Sequence, residues 1–312
     1  MPLGEIDRIS VTTVVDNSID ALRPDEKIAR RHTLERSGRI PPLRAEHGLA
    51  HHVEVTRGSE TMRIGFDFGL TAETMIHNFD LLDIDARRID ALALSHGHVD
   101  HWGGVLGFLD RHRASMRSPL PFYAGVDHFV HRWSERNTRR VDLGILHRRQ
   151  LEAYDVDVRV VKTPTTIGEG LMLSGEMTEP MPFETIPASL RVEQDGQLVP
   201  DTFIGEQTLI ANVRNRGLVV VTSCSHRGVI GICRWATRVA GVPKIHAVIG
   251  GFHLSGLGDE RITAVVDAFR DLQVDYFVPQ HCTGMEALLG LGRHLRDELV
   301  VSSVGSTFTF AA

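Results

Sequence analysis

Residues 95–104 read Ser95-His96-Gly97-His98-Val99-Asp100-His101-Trp102-Gly103-Gly104, placing three imidazoles and a carboxylate within six positions. The apolar run at 91–95 reads as a short strand, so the cluster sits at a strand end. Alternate positions 96 and 98 can turn toward one metal ion, while 100 and 101 face a second. Gly97, Gly103 and Gly104 permit the tight backbone path that this convergence needs. So dense a histidine tract is hard to place as mutually repelling surface residues, and imidazole is the commonest metal ligand.

Four donors from one loop cannot fill two metal shells, so further His, Asp or Cys residues are expected at other strand ends. Three segments supply them. Ser223-Cys224-Ser225-His226 follows an apolar strand at 218–222, Gly250-Gly251-Phe252-His253 follows 245–249, and Gln280-His281-Cys282-Thr283-Gly284 follows 276–279. Helical patterns at 229–240, 260–272 and 285–296 alternate with these strands, which is the signature of an α/β layer whose carboxyl edge gathers ligands. His51 and His52 within a strand, and His32, His112, His147 and His294 on polar helical stretches, are assigned to surface or structure.

The first half predicts strands at 9–15, 49–56 and 61–66, a helix at 71–85, a helix at 105–112 and a strand at 121–124. Residues 17–47 are polar and proline-bearing, and read as a long excursion with one short helix at 25–36. Residues 128–149 hold six arginines around Trp133; they read as a solvated helix face or, more sharply, as a basic lid that meets an anionic substrate.

The chain has 312 residues, 42% hydrophobic and 24% charged, so it can bury a full core. At roughly 150 residues per domain its length suggests two domains. The absence of any repeat or flexible linker favours one, residues 1–312, with excursions at about 17–47 and 128–149. A net charge of −6 removes the overall electrostatic case for nucleic acid or an anionic membrane. Three scattered cysteines, and no apolar run of membrane-spanning length or signal-like start, point to a cytoplasmic protein with a small-molecule partner.

Taken together, these segments resemble the metallo-β-lactamase fold hydrolases, and within them the branch containing the dihydropterin-type synthases of methanopterin assembly. The likeness runs through Val15-Asp16-Asn17, Glu46-His47-Gly48-Leu49, Phe66-Asp67-Phe68-Gly69, the 95–104 segment, and the CSH, GGFHL, HCTG and Val304-Gly305-Ser306 segments. The resemblance implies a four-layer αββα sandwich with a metal site on one edge, and for Asp67 the role of orienting the metal loop without binding metal. Two departures stand out. Residues 160–180 lack the ligand histidine many members carry there, and Ser223-Cys224-Ser225-His226 stands where a bridging aspartate is usual. His226 is therefore expected to take a ligand position, with Cys224 a weaker candidate. Ser223 replaces a common glycine and Phe68 a common threonine.

The expected site has His96, His98 and His226 on one ion and Asp100, His101 and His281 on the other. Zn2+ is the expected metal, in two copies, with Mn2+ and Fe2+ as alternatives. Asp100 is also expected to orient a metal-bound hydroxide, and His253 to ligate metal or protonate a leaving group. The expected reaction is hydrolysis of a phosphoester, ester, lactone or related bond in a small, anionic molecule. The rivals are a dihydropterin-type synthase joining a pterin diphosphate to an aryl amine, and a non-catalytic metal-binding module.

Overall fold

The structure, a computed structural model, describes residues 1–136, 139–178 and 183–312. An eight-stranded sheet runs in the spatial order Ala29–Arg30, Thr307–Ala311, Arg8–Val15, Ala50–Arg57, Glu60–Phe66, Ala91–Ala93, Leu120–Gly125, Val156–Val161. A six-stranded sheet runs Thr165–Gly168, Leu171–Leu173, Leu209–Val213, Gly217–Val221, Ile245–Gly251, Tyr276–Gln280.

The layers follow from the period-2 alternation of strands. In Gly217–Val221, Val219 and Val221 join Ile9, Val53, Ile64 and Phe66 of the other sheet in a core between the sheets. Leu218 and Val220 face the opposite way, into a core shared with Ile230, Val265, Phe269 and Leu291 of the helices Val229–Ala240, Asp259–Asp271 and Met285–His294. A third core packs Leu92 and Phe122 of the first sheet against Met75, Phe79 and Phe108 of the helices Ala72–Leu81 and Val105–His112. Phe79 and Phe108 meet edge to face at 5.1 Å, each contributing about 2–3 kcal/mol through burial. Three apolar seams between four layers make an αββα sandwich.

Strand direction then places the site. Glu60–Phe66, Ala91–Ala93 and Leu120–Gly125 run parallel, as do Gly217–Val221, Ile245–Gly251 and Tyr276–Gln280. Their carboxyl ends deliver Asp67, His96, Ser223 to His226, His253 and His281 to one edge.

Two expectations are corrected. Residues 25–36 form no single helix: Ala29–Arg30 pairs with Thr307–Phe308, and only Leu34–Ser37 is helical. Backbone pairing with the last strand overrides local helix propensity there. Residues 128–149 form no single helical face either, only Arg148 and Arg149 opening a short helix, Arg148–Glu152. Arg132–Arg136 and Arg139–Asp142 form a hairpin, extended by Leu190–Gln194 and Gln197–Pro200 into a four-stranded sheet. Residues 137 and 138 of that segment lie outside the described residues. Arg132 is fully buried, with Nε donating to Asp201 at 2.7 Å and an ion pair to Asp127 at 3.2 Å, so this arginine is structural. His51 and His52 are buried in their strand, and His51 Nε2 lies 2.8 Å from Gln280 Oε1.

Candidate metal centre

Asp67, directly after the strand Glu60–Phe66, is wholly buried. Its Oδ1 accepts from the backbone N–H of Ser95 at 2.7 Å, and its Oδ2 accepts from the hydroxyls of Ser95 and Ser223. Oδ2 also lies 2.9 Å from His101 Nδ1, and a buried carboxylate takes the proton of that nitrogen. This leaves His101 Nε2 as the free donor atom. The same accounting fixes two more rings. The Ser95 hydroxyl spends its hydrogen on Asp67, so it accepts from His96 Nδ1 at 2.9 Å. The Asn17 amide nitrogen donates to the His281 carbonyl, so Asn17 Oδ1 accepts from His281 Nδ1 at 3.1 Å. All three imidazoles therefore commit Nδ1 to a protein acceptor and turn Nε2 inward.

Four donor groups, some sharing a residue, result among the described residues, each with its ligand atoms within 4.8 Å of one another, and two of them share no residue with each other and lie to either side of His101. His96, His98 and His226 form one, with His96 Nε2 and His226 Nε2 at 3.3 Å. His98 Nε2 and His226 Nδ1 are buried and have no hydrogen-bond partner. Burial and neighbouring positive charge push all three pKa values down, that of His98 to about 3, so the rings are neutral and their lone pairs available. Buried nitrogens without a partner are costly, and a cation satisfies them, so the donor set fits a metal ion.

The second group is His47, Asp100 and His281. Asp100 Oδ2 lies 3.4 Å from His47 Nε2, 3.2 Å from His281 Nε2 and 3.6 Å from His101 Nε2. Burial disfavours the Asp100 charge, but His101 and His281 outweigh it and hold the carboxyl ionised. Burial likewise lowers the pKa of His101, yet Asp100 and Asp67 on either side raise it to about 9, so an ion taking its Nε2 displaces a proton. His101 lies between the groups, its ring 4.3 Å from that of His96 and 5.0 Å from that of His281. Every residue singled out for the site in the sequence comes to this edge. His253 sits 4.4 Å ring to ring from His226 and groups with Cys224 and Cys282 rather than with Asp100.

Cys224 Sγ is 3.2 Å from His101 Nε2, so the segment lacking the usual aspartate presents a thiol there. Ser223, in place of a common glycine, adds a hydrogen bond to Asp67, while Phe68 stacks on Phe122 in the outer core. Asp67, Ser225, His253 and His281 adopt φ between 45° and 62°, a left-handed conformation costing about 1–3 kcal/mol each and concentrated at functional sites.

Sequence reasoning placed Asn17 and His47 in shared segments without giving them a role, and missed Glu206 and Phe203. His47 lies just before a strand antiparallel to Arg8–Val15, and the start of such a strand shares an edge with the end of its neighbour; that was the available signal. Phe203 stacks on His226 at 3.9 Å. Glu206 accepts from the backbone N–H groups of His226 and Arg227, both at 2.9 Å, and burial pushes its carboxyl up to about 7. Both follow an irregular stretch whose path only tertiary contacts fix.

An αββα sandwich carrying histidine and aspartate clusters on its carboxyl edge defines the metallo-β-lactamase fold. Residues 66–193 match the Metallo-beta-lactamase superfamily profile. It is 28% identical over 298 residues, 92% of each chain, to the 7,8-dihydropterin-6-methyl-4-(beta-D-ribofuranosyl)-aminobenzene-5'-phosphate synthase of Methanocaldococcus jannaschii. Among solved structures it is similar to Tm1679, a metal-dependent hydrolase of the beta-lactamase superfamily, with TM-score 0.75, 25% identity, and 97% of this chain and 100% of that one covered. It shares the fold alone with YhfI from Bacillus subtilis, at TM-score 0.52, 11% identity, and 97% and 100% coverage. Among the described residues no helix is long and apolar enough to cross a membrane.

Proposed function

We propose that this chain is a metal-dependent hydrolase acting on a phosphoester, ester, lactone or related bond of a small molecule. The observation that carries the reading is the pair of donor groups on one edge, with Nδ1 of His96, His101 and His281 each committed to a protein acceptor so that Nε2 faces the site. His96, His98 and His226 would hold one ion; Asp100, His101 and His281, joined by His47, would hold the other. When bound, such ions polarise a substrate oxygen and lower the pKa of water from about 15.7 to about 7.

The chain's own residues do the rest. Asp67 and Ser95 hold the rings in place. Asp100 stays ionised and would orient an attacking water. His253 is a proton donor to the leaving group: burial lowers its pKa, but contact with Cys282 and the charges of Glu206 and Asp100 raise it above the ordinary value. Zinc suits the nitrogen-rich donors, with Mn2+ and Fe2+ as alternatives.

The test is metal analysis of the purified protein, with a panel of chromogenic phosphodiesters, esters and lactones, on wild type and H98A. Turnover lost together with bound metal in H98A supports the reading; full metal content and rate in H98A refute it.

Similarity to the archaeal synthase over 92% of the chain favours a second reading, coupling of a pterin diphosphate to an aryl amine with loss of diphosphate. Incubation with both partners decides, because only a synthase yields the coupled product.

A further inference from the structure

A cavity of about 480 Å3 opens away from the histidine edge, on the outward face of the eight-stranded sheet. Its floor follows from strand alternation. Ser10 and Thr12 lie opposite Thr309 and Thr307 and face outward, while the intervening Ile9, Val11 and Phe308 are buried in the inter-sheet core. An antiparallel sheet tolerates one wet face, so a polar floor alone needs nothing but water. The concavity and its charge need more.

Six arginines line the cavity against three carboxylates, in a chain whose net charge is −6. Arg31 is paired with Glu26 at 2.7 Å, Arg36 with Asp25 at 2.6 Å and Arg63 with Glu54 at 2.7 Å. Arg8, Arg30 and Arg88 form no ion pair among the described residues, although the Arg88 charge acts on Asp85. Of the other lining carboxylates, Asp85 is held by Arg87 at 2.8 Å, and Asp83 forms no ion pair among the described residues. Three guanidinium groups outside any ion pair thus oppose one such carboxylate.

The wall also holds polar atoms without partners. His52 is 6% exposed, and its Nδ1 is buried and makes no hydrogen bond, as is true of Arg31 Nε. The hydroxyl pairs Ser10–Thr309 at 3.1 Å and Thr12–Thr307 at 2.9 Å each use one hydrogen and leave the other to donate.

We propose that this cavity binds a small phosphorylated molecule. Forked guanidinium donors match phosphate oxygens, the volume is that of a small-ligand site, and the excess of two positive charges is about what one phosphate group neutralises. The site is independent of the reaction at the histidine edge, since none of the candidate metal residues lines it.

Calorimetric titration of the full chain with inorganic pyrophosphate at low salt tests it, using wild type, R30A, R88A and H98A. Saturable binding is expected, weakened about tenfold or more by each arginine substitution and unchanged in H98A. Unaltered melting temperature and metal content in R30A and R88A exclude misfolding as the cause. No saturable binding, binding that survives both arginine variants, or loss in H98A, which places the anion at the histidine edge, each overturns the proposal.

Discussion

Asp67 touches no candidate ion, yet replacing it with asparagine is expected to weaken metal binding. The asparagine oxygen still accepts from the Ser95 N–H, but its amide nitrogen now sits where Oδ2 met two hydroxyls and His101 Nδ1. The hydroxyls can rotate and accept instead. His101 can accept only by moving its proton from Nδ1 to Nε2, the atom that faces Asp100 at 3.6 Å and Cys224 at 3.2 Å. The lone pair intended for a metal is then lost, and removal of such an orienting partner typically costs 10–100-fold in affinity, so about that loss is expected. Stability should fall by about 1–3 kcal/mol in D67N, because charge-assisted hydrogen bonds become neutral ones. D67A strands several buried donors and should cost about 3–5 kcal/mol. Competition against a chromogenic chelator reads the affinity, denaturant unfolding the stability, and nitrogen NMR of the imidazoles the tautomer. A D67N protein that binds metal within about twofold of wild type, with the His101 proton still on Nδ1, would refute the reasoning.

Other outcomes are specific. His128 accepts from the Gly125 N–H at Nδ1 and donates to the Gly205 carbonyl at Nε2, both at 2.9 Å, and burial lowers its pKa from 6.5 to about 4. The unfolded chain therefore binds the extra proton first: the stabilisation is complete above pH 6.5 and is lost as pH falls toward 4, about 3 kcal/mol in all, so H128Q should flatten the acid limb of denaturant-derived stability against pH. A Cβ on Gly103 would collide with the carbonyl oxygens of Leu70 and Val99; because backbone cannot yield cheaply, G103A should cost about 1–3 kcal/mol and release bound metal, whereas G196A, with no neighbour within 4 Å, should keep its metal. D201A leaves the buried Arg132 with Asp127 alone and should cost about 3–5 kcal/mol in thermal or denaturant unfolding.

Much of the second half was legible. The helix expected at 229–240 appears with the same bounds, Val229–Ala240, because an uninterrupted apolar periodicity ends at Gly241, which takes the left-handed φ of 64° that stops a helix. The excursions were less legible. Arg132–Arg136 alternates buried and half-buried positions but is too short and too charged to announce a strand, and its partner Leu190–Gln194 lies far along the chain.

The sequence by itself determined the chemistry available: the spacing of His96, His98, Asp100 and His101, and the habit of placing polar residues where apolar strands end, both of which are local properties. The tertiary structure decided which donors meet. His47 joins Asp100, Asn17 sets the tautomer of His281, and Asp67 reaches Ser223 across the sandwich because antiparallel and parallel strands share one edge. Those contacts join residues far apart in the chain, and no local periodicity encodes them. The same holds for the arginine cavity, whose lining comes from residues 8 to 309 and whose charge excess emerges only after the folded chain has paired the remaining acids.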